Sequence, residues 1–61
     1  MEAYERLKKL VAEVDEDMQK ALGGNRAAGT RVRQAMQQVK EAAQQIRTEI
    51  LEQRKKEEAS G

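Results

Sequence analysis

The chain contains no cysteine, histidine, proline, tryptophan or phenylalanine, and its one aromatic residue is Tyr4. Without thiol or imidazole there is no disulfide framework, no zinc site of the usual ligand types, and no Cys–His or Ser–His catalytic pair. No apolar run approaches the roughly 20 residues of a membrane span, and no signal-peptide pattern is present. The chain is therefore expected to be cytoplasmic. At 61 residues it is one domain at most. Chains this short rarely stabilise themselves with a core alone, and metal or disulfide staples are excluded here. Good helix packing, self-association or a binding partner remains.

What is present is helix-forming: Ala, Glu, Gln, Lys, Arg and Leu dominate, with Gly23-Gly24-Asn25 and the nearby Gly29 as the main punctuation. This predicts an all-α fold, an antiparallel helical hairpin with a short first helix (2–22), a turn at 23–24, a long second helix (25–57) and a frayed tail (58–61). In the first helix Tyr4, Leu7, Val11, Val14, Met18 and Ala21 recur at alternating three- and four-residue steps. In the second, Val32, Met36, Val39, Ala43, Ile46 and Ile50 do the same. Both read as a/d heptad stripes. Asn25 reads as the N-cap of the second helix, and Gly23 and Gly24 as the left-handed cap that ends the first. The alternative is a flexible loop over 23–29, with the second helix starting at Thr30.

The helices are unequal in length. A turn at Gly24 brings residue 2 beside residue 45, so Ile46, Ile50 and Leu51 project past the first helix. Two helices also leave half of each seam open. Both features predict a dimer forming a four-helix or coiled-coil-like bundle, with Met36, Val39, Ala43, Ile46, Ile50 and Leu51 at the oligomer interface.

The net charge of +1 conceals a pattern. Residues 1–22 carry six acids and four bases, and residues 23–61 carry eight bases and five acids. Between Asp17 and Glu41 there is no acid, but there are five bases: Lys20, Arg26, Arg31, Arg33 and Lys40. In addition, Arg26, Arg33, Lys40, Arg47 and Arg54 recur every seventh residue, at e positions of the stripe above. One reading is ordinary coiled-coil ion pairing. For the bases near the turn a second reading competes. Cations at a helix N-terminus oppose the helix dipole, so an anion such as phosphate is their natural complement.

The stretch Gly24-Asn25-Arg26-Ala27-Ala28-Gly29-Thr30-Arg31-Val32-Arg33, continued by Gln34-Ala35-Met36-Gln37, resembles the core signature of small bacterial histone-like proteins, the linker-histone-type nucleoid proteins of chlamydiae and other phyla. The likeness extends more weakly through Lys40, Ala42-Ala43, Ile46-Arg47 and Glu49. The resemblance implies a helical module that self-associates and binds and compacts chromosomal DNA. The matching residues are Asn25, Arg26, Arg31 and Arg33. Chlamydial relatives follow this module with a long tail rich in Lys, Ala and Pro. Here Arg54-Lys55-Lys56-Glu57-Glu58-Ala59-Ser60-Gly61 follows, three bases and then two acids. Either the folded module contacts DNA through its own arginines, or its task is assembly.

The reading is thus a nucleoid-associated protein of low sequence specificity, with Arg26, Arg31, Arg33, Lys20 and Lys40 as the DNA-contacting residues. Its expected partners are double-stranded DNA and a second copy of itself. Phosphate contacts of this kind orient a duplex without reading bases. The lack of stacking aromatics argues against a single-strand binder. The main alternative is a purely structural oligomerisation module without nucleic-acid binding. Neither enzyme activity nor a cofactor, small-molecule substrate or membrane is expected. The hydroxyls of Tyr4, Thr30, Thr48 and Ser60 have no imidazole to activate them. Asp15, Glu16 and Asp17 lack the spaced ligands and glycine of a calcium loop, and read as a solvated face.

Overall fold

The computed structural model describes residues 1–60, with side chains through residue 57. Helix α1 (Glu2–Leu22) and helix α2 (Arg26–Ser60) pack side by side as an antiparallel hairpin of 54 × 14 × 12 Å. The expected fraying of 58–61 falls on residues whose side chains, and in the case of Gly61 whose backbone, lie outside the described residues.

The reversal is compact because the backbone satisfies its own groups. The Asn25 N–H donates to the Lys20 carbonyl at 3.0 Å and the Gly24 N–H to the Ala21 carbonyl at 3.0 Å. This is the paired arrangement of a Schellman motif. Its left-handed residue is Gly24, at φ 99°, while Gly23 has an ordinary φ of −82°. The left-handed cap is therefore Gly24 alone. Asn25 then opens α2: its Oδ1 accepts from the Ala28 N–H at 2.9 Å, and its carbonyl accepts the first helical bond from Gly29 at 3.1 Å. Gly29 lies within the helix. The flexible loop considered over 23–29 is not formed.

Half of each expected stripe keeps its place on the seam (Leu7, Val14, Ala21, Val32, Val39 and Ile46), and the other half is displaced by one residue. Along α1 the inward positions are Ala3, Leu7, Leu10, Val14, Asp17 and Ala21, and along α2 they are Ala28, Val32, Ala35, Val39, Ala42, Ile46 and Glu49. Tyr4 and Val11, expected inside, are 50% and 53% exposed, whereas Ala3, Ala28 and Ala42 are 0–2% exposed. The physical reason is close approach. Each helix carries apolar residues at three of seven positions, so two a/d assignments are available. A pair of helices without a third neighbour packs most tightly where alanines let the backbones come together. Among the described residues, beyond those alanines only Val14, at 7%, is buried, so the core is thin.

The far end also differs from expectation. Met1 and Glu2 line one depression with Glu49, Glu52, Gln53 and Lys56. Ile46 is half-buried. Ile46, expected past the first helix, therefore still lies on the seam, and the overhang of α2 starts later than expected. At this end the Glu49 Oε2 is buried without a hydrogen-bond partner among the described residues. Among the described residues, no helix is long and apolar enough to cross a membrane.

Candidate nucleic-acid interface

With Val32, Val39 and Ile46 at a and Ala35, Ala42 and Glu49 at d, the other heptad positions follow. The g flank of α2 carries Arg31, and that of α1 carries Arg6, Glu13 and Lys20. The structure closes this flank. The Arg31 guanidinium makes a two-pronged bridge to Asp17, Nη2 to Oδ1 at 2.9 Å and Nε to Oδ2 at 3.1 Å. Leu10, Glu13, Val14, Asp17, Arg31, Gln34, Ala35 and Gln38 line a shallow polar depression around it. The hydrogen bond from Arg31 holds the Asp17 carboxyl below the usual carboxylate range, and the same bond raises the guanidinium's already high pKa. Asp17 is 14 residues away in the chain, which is why no acid near Arg31 was legible in the sequence. Lys20 on the same flank lies 3.3 Å from Glu16.

Opposite this flank, the e positions form an apolar edge. Tyr4, Val11 and Met18 come from α1, and Gly29, Met36, Ala43 and Ile50 from α2. Met36 is 37% and Ile50 46% exposed. Lys8 Nζ sits 5.0 Å from the centre of the Tyr4 ring and 3.2 Å from Glu5.

Next to the apolar edge lies the sevenfold basic repeat. In the observed register Arg26, Arg33, Lys40, Arg47 and Arg54 occupy b, not e, one step further from the seam than expected. Each is exposed. Among the described residues, no acid lies within ion-pair distance of Arg26, Arg33, Lys40 or Arg47. Successive bases are about 10 Å apart along one straight helix face, at roughly 1.5 Å rise per residue. The first turn of α2 contains no acid, in contrast to α1, which carries Glu2 and Glu5 in its first turn and Lys20 in its last.

The five bases picked out near the turn are thus divided. Arg26, Arg33 and Lys40 share an unpaired ridge, while Arg31 and Lys20 lie on the opposite flank in ion pairs. Arg47 extends the ridge, and the sevenfold repeat was its signal. The six residues expected at an oligomer interface are divided too. Val39 and Ile46 face α1 inside the hairpin; Met36, Ala43 and Ile50 lie on the apolar edge; Leu51 lies on the outer face, 57% exposed. Among the described residues, no group of three or more acidic side chains is placed to hold a metal.

A family model described as histone H1-like protein Hc1 matches residues 1–56. The chain belongs to the histone H1-like Hc1 family. Membership points to a structural, DNA-binding nucleoid protein and gives no positive sign of an enzyme. No curated protein and no solved structure matches the chain.

Proposed function

We propose that this Hc1-family chain is a nucleoid-associated protein that binds double-stranded DNA with little sequence specificity and contributes to chromosome compaction. The contacts are made by the α2 ridge of Arg26, Arg33, Lys40 and Arg47. The observation that carries this reading is the ridge itself: four cations on one helix face, free of ion pairs among the described residues, evenly spaced along a rigid rod. A cation already bridged by a carboxylate releases less free energy on meeting a phosphate, because the first bond must be given up. Arg31 and Lys20 therefore contribute less than their place near the turn implied. The protein acts in the nucleoid as a self-associated form, in which each copy adds a ridge.

The test is fluorescence anisotropy of a labelled random-sequence duplex at about 50 and about 200 mM salt, where counterion release dominates. The variant Arg26→Gln/Arg33→Gln/Lys40→Gln is expected to bind at least tenfold more weakly at the lower salt. Its log–log salt slope should flatten by about 0.9 for each phosphate that is no longer neutralised. The variant Lys20→Gln/Arg31→Gln should keep most of the slope. Equal affinity of the ridge variant and the unaltered chain would remove the mechanism.

A second reading is a structural oligomerisation module with no role for DNA. The observation favouring it is the exposed apolar edge. Absence of binding at 50 mM salt would leave this reading standing.

A further inference from the structure

The apolar edge is more than the hairpin needs. Two helices packed only on each other require an a/d stripe, the narrow seam of a coiled coil. Helices facing the core of a bundle carry a third apolar position, e or g, in each heptad. Here both helices carry it, and both at e. Tyr4, Val11, Met18, Met36, Ala43 and Ile50 thereby fall on one side of the hairpin, and the other side is polar. A surface partner with an unrelated sequence would not require both helices to repeat the same pattern along their shared length.

We infer that this edge is the docking surface for a second copy of the chain, with α1 of each copy against α2 of the other. The inference rests on the self-association in the reading above, and it assigns the surface and the helix pairing. Charge decides the pairing. Bordering the edge, α2 presents Arg26, Arg33, Lys40, Arg47 and Arg54 at b. An α2–α2 contact would set that row of like charges against its own copy, a destabilising arrangement. The corresponding border of α1 is Met1, Lys8, Asp15 and Leu22, with one charge of each sign. Placing α1 against α2 sets that row beside a border whose side-chain charges cancel, and offers Asp15 to a ridge that has no acid of its own. It also leaves most of each basic ridge at the rim of the interface, where phosphates can reach it.

The test uses the full chain. Sedimentation equilibrium at about 100 µM should give twice the 6.9 kDa chain mass. Val11→Glu/Met36→Glu changes two exposed positions and should halve that mass while the far-ultraviolet helical signal persists. Because the chain has no cysteine, single replacements report the pairing. Val11→Cys chains are mixed with chains carrying Gly29→Cys, Met36→Cys, Ala43→Cys or Ile50→Cys and then oxidised. Mixed disulfides between α1 and α2 positions are expected to exceed α2–α2 disulfides at least fivefold. Dominant Met36→Cys homodisulfides would overturn the pairing. A helical double-Glu variant that keeps the dimer mass would overturn the surface while leaving self-association intact. A monomeric unaltered chain would overturn both. If that monomer bound anionic phospholipid vesicles through the edge, the occupant would be a lipid surface. DNA affinity of the double-Glu variant is a separate readout, so loss of the dimer with retained ridge binding leaves the ridge assignment standing.

Discussion

The two long edges of the hairpin are built from the same two helices, yet they do opposite things. On the g edge, Asp17 and Arg31 meet across the seam and glutamines complete a polar rim, so the groove between the helices is closed by groups that satisfy one another. On the e edge, Tyr4, Val11, Met36 and Ile50 remain substantially exposed beside an unpaired row of cations. Net charge and composition average over this division. The asymmetry shows that the hairpin has one finished side and one side that still offers apolar area and positive charge. Arg31 and Arg33, two residues apart, belong to different sides and are assigned different tasks. The first bridges α2 to Asp17 of α1, and the second has no ion-pair partner among the described residues.

The comparison depends on the seam that holds both edges in place, and breaking the seam should have the largest effect. Ala42 is fully buried where the backbones are close. Ala42→Asp places a carboxylate there with no cation among the seam residues opposite. Burial of an unpaired charge, added to lower helix propensity, is expected to cost about 3 kcal/mol or more. For a domain of this size that is most of its stability. Circular dichroism of Ala42→Asp at 25 °C should show loss of cooperative thermal unfolding. The same substitution at exposed Gln44 should leave the transition within a few degrees. An unchanged transition in Ala42→Asp would mean that the alanine contact does not hold the helices together.

How far the sequence disclosed this structure depends on the kind of interaction. The break at Gly23-Gly24-Asn25 is written in local backbone chemistry, so the presence of two unequal antiparallel helices was legible. Face assignment was not. With three apolar positions per heptad, periodicity alone cannot say which two face the neighbouring helix. The small side chains of Ala3, Ala28 and Ala42 decided it through close packing, a tertiary effect that a hydropathy pattern undervalues. The b ridge was visible as a sevenfold repeat, although its neighbours were misassigned by one position. The Asp17–Arg31 bridge fell within the ion-pairing reading but was not singled out, because its partners become adjacent only after the chain reverses. That bridge is what removed Arg31 from the set of unpaired cations.

The reversal also decides which flank of α2 meets which flank of α1, so the turn sharpens the comparison at a smaller scale. Among the described residues Gly24 alone has a positive φ, and a side chain there is strained although nothing lies within 4 Å of its added Cβ. Gly24→Ala is expected to cost about 1–2 kcal/mol. At Gly23 the backbone is ordinary, and an added Cβ would meet the Lys20 carbonyl oxygen at 3.5 Å, a normal contact. Gly23→Ala restricts the unfolded chain and is expected to gain about 0.5 kcal/mol. Thermal melts of the two variants should therefore move in opposite directions. Equal losses would indicate that both glycines are needed as left-handed residues.

The smallest expected effect concerns the finished edge and is read most clearly through pH. The Asp17 carboxyl is held below its ordinary value of 3.8, first by the hydrogen bond from Arg31. A carboxylate with a lowered pKa in the folded state favours folding above its unfolded pKa. That contribution is lost as pH falls through the lowered folded value. The chain should therefore lose this increment below about pH 4. Asp17→Asn keeps the shape of the side chain but removes the titrating group. At pH 7 it should melt a little below the unaltered chain, and the gap should shrink with added salt because the pair is exposed to solvent. As pH falls through the lowered folded value, Asp17 becomes neutral and the two melting temperatures should converge. A gap that stayed constant over that fall would mean that the charge at Asp17 does not close this edge, and Arg31 would then rejoin Arg33 as a cation available to DNA.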